Sequence, residues 1–262
     1  MVQTIYVQPT RLFGLIGFPL SHSFSKKYFT GKFEREGLAD CRYELFELPD
    51  PTQFPALLQR EPNLVGLNVT IPHKQALFPY LNSLDESAEK VGAVNVIRVL
   101  PDGTTRGYNS DFYGFKKSLE TWEAFQRRRP GRALILGDGG AARAVEAALR
   151  DLSIAYQIVS RRAGRGDLTY ADLTPEIIKT HPLLINTTPL GTYPDVDTCP
   201  EIPYHLLTSQ HLLYDLVYNP AETQFLREGK TRGAATHNGY RMLELQAERS
   251  WEIWTTPLLV RT

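Results

Sequence analysis

The chain has 262 residues, and its 29 lysines and arginines are balanced by 29 aspartates and glutamates. This length predicts about two domains, and the zero net charge gives no general attraction for nucleic acid or an anionic membrane surface. No apolar run is long enough to span a bilayer, and the N-terminal residues lack the basic and apolar regions of a secretory signal. Cys41 and Cys199 stand far apart and outside any metal-binding spacing, which favours a reducing cytoplasm.

Strands alternate with helices along the first part of the chain, which predicts parallel βα units. The strands are expected at 11–17, 42–48 and 64–71, and the helices at 24–33, 51–59 and, in two pieces, 74–90. Pro101-Asp102-Gly103 is a turn signal, so 93–100 and 104–108 should form a hairpin. A helix over 112–125 is then expected to leave the first domain.

The basic stretch 126–132 (QRRRPGR) is interpreted as a junction, after which a second βα series begins. Its strands are expected at 133–136, 156–159, 183–188 and 212–217, and its helices at 144–152, 175–180 and 221–228. The last helix, 240–254, contains Trp251 and Trp254 among other apolar residues. It is therefore predicted to pack on the first domain rather than to form a solvated tail.

The stretch 66–74 (GLNVTIPHK) combines a short β-rich run with a proline that ends it. Asn68, Thr70 and Lys74 are therefore expected together at the carboxyl end of a strand, where open α/β sheets bind ligands. From spacing alone, a solvated surface lysine and polar residues at a strand edge are the simpler interpretations.

A glycine turn at 137–142 (GDGGAA) follows a buried strand and opens an alanine-rich helix, which is typical of a diphosphate-binding turn. The next strand ends in Ser160 and three nearby arginines (Arg161, Arg162 and Arg165), where an NAD site has an acidic residue for the ribose hydroxyls. Because guanidinium groups bind phosphate in bidentate fashion, the pattern predicts the 2′-phosphate of NADP. An ordinary tight turn and a solvated basic loop are the alternatives.

Nine motifs, in a single order, resemble those of the shikimate dehydrogenase family nearly from end to end of the chain. They are SHSFS at 21–25, GLNVTIPHK at 66–74, GAVN at 92–95, GYNSD at 107–111, the glycine turn at 137–142, SRR at 160–162, INTTPLG at 185–191, YDLVYNP at 214–220 and NGYRMLELQA at 238–247. Each motif alone is weak evidence for the family, but nine motifs in the family's order are specific to it.

The resemblance implies an α/β protein of two domains. A discontinuous α/β substrate domain would comprise 1–112 and 238–262 and be closed by the C-terminal helix, and a Rossmann-type NADP-binding domain would comprise 113–237. The implied reaction is the reversible NADPH-dependent reduction of 3-dehydroshikimate to shikimate, on the pathway to chorismate and the aromatic amino acids. The implied partners are these small molecules, with no nucleic acid or membrane, in a cytoplasmic monomer or homodimer.

Site residues follow from the same resemblance, position by position. It makes Lys74 the catalytic lysine and Asp111 its acidic partner, with no metal. The implied substrate-binding residues are Ser21, Ser23, Asn68, Thr70, Asn95, Tyr218 and Gln246. The implied cofactor-binding residues are Gly137, Asp138, Gly139, Gly140, Ala141, Ser160, Arg161, Arg162, Arg165, Thr188, Leu216 and Gly239. Simpler roles exist for several of them, since Asp111 would also suit the N-cap of the following helix.

The chain departs from the family pattern at two places. Asp138 stands where the family usually has a small neutral residue, and a carboxylate there should repel a diphosphate unless it points to solvent. Ser160-Arg161-Arg162 replaces the usual Asn-Arg-Thr, and we expect NADP preference to remain with altered affinity.

Two other functions are alternatives to this interpretation. A quinate/shikimate dehydrogenase that prefers NAD is disfavoured by the arginines. A non-catalytic relative that senses shikimate-type ligands is disfavoured by the presence of Lys74 and Asp111.

Overall fold

The computed structural model describes residues 10–20 and 24–257. These form two compact units: the first contains the described residues up to Ser110 and those from Ala247 onward, and the second runs from Asp111 to Gln246. The first unit is thus discontinuous in sequence. The basic stretch 126–132, interpreted above as a junction, lies inside the second unit rather than between the two.

Helices and strands alternate along most of the chain. The strands of the described residues are β1 (Arg11–Gly17), β2 (Cys41–Glu47), β3 (Leu64–Val69), β4 (Ser83–Leu84), β5 (Val96–Val99), β6 (Thr105–Tyr108), β7 (Arg132–Leu136), β8 (Ala155–Ser160), β9 (Leu168–Thr169), β10 (Leu183–Asn186), β11 (Leu212–Asp215) and β12 (Ala235–His237). Their α-helices are α1 (Phe24–Arg35), α2 (Phe54–Arg60), α3 (His73–Ala76), α4 (Glu86–Val91), α5 (Ser110–Thr121), α6 (Glu123–Arg128), α7 (Gly140–Asp151), α8 (Pro175–Thr180), α9 (Gln224–Thr231) and α10 (Tyr240–Thr255). No helix within the described ranges is both long and apolar enough to cross a membrane.

The sheet of the first unit has the strand order β2-β1-β3-β5-β6-β4. β1 runs parallel to β2 and β3, whereas β5 is antiparallel to both β3 and β6, as the predicted hairpin requires. Because the chain continues to β2 on one side of β1 and to β3 on the other, the strand order reverses between β1 and β3. Open sheets bind ligands at such a point, beyond the carboxyl ends of the strands. The stretch 66–74 leaves the sheet there.

The sheet of the second unit has the strand order β12-β11-β10-β7-β8-β9, and every pair in it is parallel. β7, β10 and β11 are buried along nearly their whole length, which explains their continuous apolar sequences. The strand order reverses between β7 and β10, so the glycine turn after β7 opens at the equivalent point of this sheet.

Several predicted bounds were too long, and local hydrogen bonds explain why. The strands predicted at 183–188 and 212–217 end at Asn186 and Asp215, whose side chains turn back to accept the N–H groups of Thr188 and Val217. The stretch 74–90 is helical in two pieces, as predicted, but β4 lies between them, and α4 starts afresh where the Asp85 carboxylate accepts from the Ser87 N–H.

The last helix, α10, contributes to both units. Its first half packs in the second unit, where Met242 lies against the core and Gly114 leaves no room for a side chain: a Cβ there would stand 2.7 Å from the Met242 carbonyl oxygen. Its second half packs in the first unit, as predicted, with Trp254 buried and donating from Nε1 to the carbonyl of Ile97 at 3.0 Å. Residues 238–246, assigned above to the substrate domain, therefore fold with the second unit.

Candidate functional sites

A chain of buried, neutral side chains lies at the carboxyl edge of the first sheet. The Tyr43 hydroxyl donates to Asn68 Oδ1 at 2.8 Å, and Asn68 Nδ2 donates to Ser250 Oγ at 2.9 Å. Asn95 Nδ2 donates to Ser110 Oγ at 3.1 Å, and the Ser110 N–H donates to Asn95 Oδ1 at 2.6 Å. The two serine hydroxyls are 3.3 Å apart and join the halves. We call these five residues the neutral network.

The neutral network contains two predicted substrate residues, Asn68 and Asn95, and three residues that the sequence did not single out. Each of the five has at most 5% of its surface exposed. A signal for Ser250 was present, since it is a polar residue on the buried face of α10, three positions after Ala247 and four before Trp254. Tyr43 and Ser110 become recognisable only once the strands are paired.

Thr70 and Lys74 lie beside this network at the same edge of the sheet. The carbonyl of Thr70 accepts from the His73 N–H at 3.0 Å, and the carbonyl of Lys74 accepts from the Val94 N–H at 2.7 Å. The side chain of Lys74 is half-buried. His73 is buried, with Nε2 2.5 Å from the Leu48 carbonyl oxygen. Four predicted residues of the first unit thus share one edge: Asn68, Thr70, Lys74 and Asn95.

Asp111 belongs to the second unit and is the second residue of α5. The helix begins at Ser110, so the expectation that Asp111 caps it is wrong. A carboxylate in the first turn is favoured by the helix dipole, and this accounts for an acidic residue without excluding a catalytic one.

Tyr218 and Gln246 also belong to the second unit. Tyr218 is 39% exposed, and the burial of the remainder raises the pKa of its phenol. Gln246 is half-buried and donates from Nε2 to the Leu243 carbonyl at 3.0 Å. The two remaining predicted substrate residues, Ser21 and Ser23, lie outside the described residues.

The glycine turn packs against the turn that follows β10. Gly137 has φ +110°, a conformation that favours glycine, and a Cβ there would lie 2.8 Å from Thr188 Cγ2 and 2.9 Å from Thr187 Oγ1. Thr187 Oγ1 donates to the Leu136 carbonyl at 2.9 Å, and Thr188 Oγ1 donates to Asn186 Oδ1 at 2.6 Å. The two turns on either side of the reversal in strand order are therefore held together.

The start of α7 suits a dinucleotide diphosphate. Gly139 is the N-cap residue and provides no side-chain hydrogen bond to the helix. A Cβ added at Gly139 or Gly140 would meet no atom within 4 Å, so the helix start faces open space. The N–H groups of the first turn and the helix dipole attract an anion there. The predicted residues from Gly137 to Ala141 thus fit the role that the resemblance implies.

A charged rim borders this turn. β8 ends at Ser160, which is buried and whose Oγ accepts from the Arg162 N–H at 3.2 Å. The side chains of Arg161, Arg162 and Arg165 that follow are exposed. Arg165 Nε lies 3.1 Å from Asp138 Oδ2, so the carboxylate that the sequence left unexplained is in an ion pair. We call Asp138 and the three arginines the charged rim.

Tyr170 is near the charged rim, and it was not predicted as a site residue from the sequence. It follows the two-residue strand β9, whose pairing with β8 has no sequence signal of its own. Burial raises the pKa of the Tyr170 phenol to about 12, while the charge of Arg161 lowers it and the charges of Glu201 and Asp138 raise it. The phenol is therefore close to both signs of charge.

A buried carboxyl lies at the carboxyl end of β11 in the same sheet. Asp215 is fully buried and accepts from Asn186 Nδ2 at 2.9 Å, the Val217 N–H at 3.0 Å and Thr223 Oγ1 at 2.5 Å. Burial raises the pKa of Asp215 to about 6, although the three hydrogen bonds act in the opposite direction. We call Asn186, Asp215 and Thr223 the carboxyl network.

Leu216 and Gly239, two of the implied cofactor-binding residues, lie together beside this network. The Leu216 N–H donates to the Asn186 carbonyl at 3.0 Å, and the Gly239 N–H donates to the Val217 carbonyl at 3.1 Å. A Cβ on Gly239 would collide with the Leu216 backbone, so only glycine fits this approach.

Similarity to known proteins covers nearly the whole chain. The sequence profile of the shikimate dehydrogenase substrate binding domain matches residues 15–97. The protein named shikimate dehydrogenase (NADP(+)) of Desulforamulus reducens is 38% identical over 265 aligned positions, which cover 94% of this chain and 90% of that protein. The chain belongs to the shikimate dehydrogenase family.

Solved structures agree with this assignment. The shikimate 5-dehydrogenase of Thermus thermophilus, in complex with NADP(H) and shikimate, matches with a TM-score of 0.78 at 31% identity over 94% of each chain. The quinate dehydrogenase of Corynebacterium glutamicum, in complex with NAD, matches with a TM-score of 0.85 at 25% identity over 95% of each chain. The prediction of an α/β protein with a Rossmann-type unit is confirmed.

Proposed function

We propose that this chain is an NADP-dependent shikimate dehydrogenase, which reversibly reduces 3-dehydroshikimate to shikimate. The observation that carries the proposal is the full-length relationship to proteins of this name. The charged rim supports the cofactor assignment, because three arginines follow β8 where an NAD site has a carboxylate. A cytoplasmic monomer or homodimer remains our expectation for its location and assembly.

The cofactor residues divide by the part of the dinucleotide that each would hold. The turn from Gly137 to Ala141 and the start of α7 would bind the diphosphate, and the charged rim would bind the 2′-phosphate of the adenosine ribose. Leu216 and Gly239 would line the nicotinamide end. When bound, NADPH supplies the hydride for the reduction.

The chain's own residues would supply the proton and hold the substrate. Lys74 Nζ would donate a proton to the carbonyl oxygen that is reduced, and Asp111 would be its acidic partner in the acid–base step. The neutral network supports this role for the first unit, because it fixes the orientation of the Asn68 and Asn95 amides beside Lys74. Hydroxyl and amide groups of this kind suit a small carboxylated, polyhydroxylated ring.

One steady-state assay tests the proposal. The purified chain is assayed by absorbance for oxidation of shikimate and of quinate, each with NADP⁺ and with NAD⁺. We expect shikimate with NADP⁺ to give the highest kcat/KM. A clear preference for NAD⁺ would support the NAD-linked quinate/shikimate dehydrogenase instead, and binding of shikimate without turnover would support a sensor.

The variant Lys74→Ala, measured in the same assay, tests the catalytic assignment. We expect kcat to fall by about 10²–10⁴ with little change in KM, because positioned acid–base groups act mainly in the transition state. Lys90→Ala is the matched control, since Lys90 is an exposed lysine of the same unit that pairs with Glu86. A Lys74→Ala enzyme with near-normal kcat would refute the assignment.

A further inference from the structure

The Asp138–Arg165 ion pair joins the glycine turn to the loop after β8. Asp138 directly follows Gly137, whose positive φ sets the direction of the turn. Arg165 is held from the other side by its own loop, in which its N–H donates to the Arg162 carbonyl at 3.2 Å. Both side chains retain exposure, 32% for Asp138 and 61% for Arg165, so the pair is open to a ligand at the rim.

The ion pair lies where a bound cofactor would place its adenosine ribose. The loop that follows the second strand of a dinucleotide-binding unit contacts the 2′ position of that ribose. The contact between Arg165 Nε and Asp138 Oδ2 at 3.1 Å places a positive and a negative side chain at this end of the site. An NAD site has a carboxylate there for the ribose hydroxyl, and an NADP site has arginines for the phosphate. This chain has the arginines after β8 and, from the glycine turn, a carboxylate that pairs with one of them.

We infer that Asp138 is a specificity-determining residue that acts through Arg165 to weaken the preference for NADP over NAD. The inference rests on the proposed function. A 2′-phosphate carries about 1.5–2 negative charges at neutral pH by analogy with other phosphate monoesters, so it must share Arg165 with a carboxylate already 3.1 Å away. NAD has no such phosphate and does not compete for the guanidinium. The ion pair therefore costs binding energy for NADP alone.

Binding measurements on Asp138→Asn test the inference without relying on turnover. Dissociation constants for NADP⁺, NAD⁺, adenosine 2′,5′-bisphosphate and 5′-AMP are measured by titration calorimetry on the purified full chain. We expect Asp138→Asn to bind NADP⁺ and the bisphosphate about threefold to tenfold more tightly, as removal of one partly screened charge allows. The dissociation constants for NAD⁺ and 5′-AMP should change much less, because neither carries the 2′-phosphate.

Asp151→Asn is the matched control. Asp151 is also a carboxylate of the second unit that pairs with a basic side chain, Lys116. It ends α7, whereas Gly140 begins it, so it lies about 16 Å along the helix from the glycine turn. This distance exceeds the screening length at physiological salt, about 8 Å. Loss of the same charge there should leave the NADP⁺ to NAD⁺ ratio of dissociation constants unchanged.

The Arg165→Gln variant, used as a second background for Asp138→Asn, tests whether Asp138 acts through Arg165. Arg165→Gln should weaken NADP⁺ binding, and adding Asp138→Asn to it should recover less than half of the gain seen with Arg165 present. An equal gain in both backgrounds would overturn the route through Arg165. Asp138→Ala, a small neutral replacement, repeats the test if the asparagine variant melts at a lower temperature than the parent.

The outcomes separate this inference from the proposed function. If the parent chain fails to bind NADP⁺, the proposed function fails and the inference with it. If the parent binds NADP⁺ and oxidises shikimate, yet Asp138→Asn and Asp138→Ala leave the NADP⁺ to NAD⁺ ratio unchanged or shift it toward NAD⁺, the inference alone is overturned.

Discussion

The neutral network at the carboxyl edge of the first sheet buries only hydroxyl and amide side chains, whereas the carboxyl network at the same edge of the second sheet buries the carboxyl of Asp215. The neutral network is built from hydroxyl and amide groups that satisfy one another. The carboxyl network instead buries an ionisable group among three donors. Because burial penalises only the charged form of a group, the two edges should respond differently to pH.

The second edge also differs in that it includes exposed charged side chains. Its charged rim is exposed and is proposed above to bind a phosphate through charge, while two predicted substrate residues of the first unit, Asn68 and Asn95, are themselves members of the buried network. Exposed ion pairs contribute about 0–1 kcal/mol to stability. The comparison therefore separates three contributions: a buried charge that depends on pH, buried neutral bonds that depend on neither pH nor salt, and exposed charges that act on ligand binding.

The largest effect is expected from Asp215. Its pKa of about 6 lies above its usual value near 4. Between these two values the folded state keeps the proton that the unfolded state has lost, so the free energy of unfolding falls as pH rises. The stabilisation is complete below about pH 4 and is lost above about pH 6, a difference of about 3 kcal/mol. Relative to the uncharged Asp215→Asn, the parent should lose this amount between pH 4 and 7 in urea unfolding.

Asp172→Asn provides a control of opposite sign. The side-chain and backbone hydrogen bonds from Thr169 lower the pKa of the Asp172 carboxyl. Its contribution is therefore present above the unfolded-state pKa and is lost as pH falls. Relative to Asp172→Asn, the parent should gain stability as pH rises. The assigned ionisation of Asp215 would be contradicted if the difference in free energy of unfolding between the parent and Asp215→Asn stayed constant from pH 4 to 7.

A smaller effect, independent of pH, is expected from Ser250→Ala in the neutral network. The substitution leaves Asn68 Nδ2 with the Asn95 carbonyl oxygen at 3.4 Å, which is too long for a strong hydrogen bond. An under-satisfied buried donor costs about 1–3 kcal/mol. The free energy of unfolding should fall by this amount equally at low and high salt and across pH 5–8. Ser209→Ala, on an exposed turn, should change it by less than about 0.5 kcal/mol.

If the loss of stability in Ser250→Ala varies with salt or pH, the network is not neutral. An unchanged stability would show that water or a neighbouring group replaces the Ser250 hydroxyl. Either result would remove the contrast with the carboxyl network.

The sequence predicted those parts of the fold that each segment encodes for itself. The bounds of β1 and α8 were predicted correctly because a buried strand is a continuous apolar run and because Thr174-Pro175 is a clear helix start. The strands β4, β9 and β12 were missed, since two or three residues carry no periodicity and become strands only through a partner.

The same limit applies to the candidate sites. The glycine turn and the arginines after β8 are contiguous motifs and were found. The contacts of Asn68 with Tyr43 and with Ser250 join residues that are 25 and 182 positions apart. The Asp138–Arg165 pair joins two different loops. Such pairs depend on strand register and on the path of α10, which no local pattern specifies.

The smallest effect on stability, and a selective one on binding, is expected from Arg161→Ala in the charged rim. Arg161 is exposed, so its loss should change the free energy of unfolding by less than about 0.5 kcal/mol. Loss of a guanidinium–phosphate contact should raise the dissociation constant of NADP⁺ about tenfold, while NAD⁺, which lacks the phosphate, should bind as before. The difference should shrink as salt is added. Arg127→Ala, which removes an exposed arginine paired with Glu123 on α6, is the matched control. If NADP⁺ and NAD⁺ binding weaken equally, Arg161 maintains the conformation of the loop and does not contact the 2′-phosphate. The distinction between exposed charges that bind a ligand and buried groups that stabilise the fold would then not hold for the charged rim.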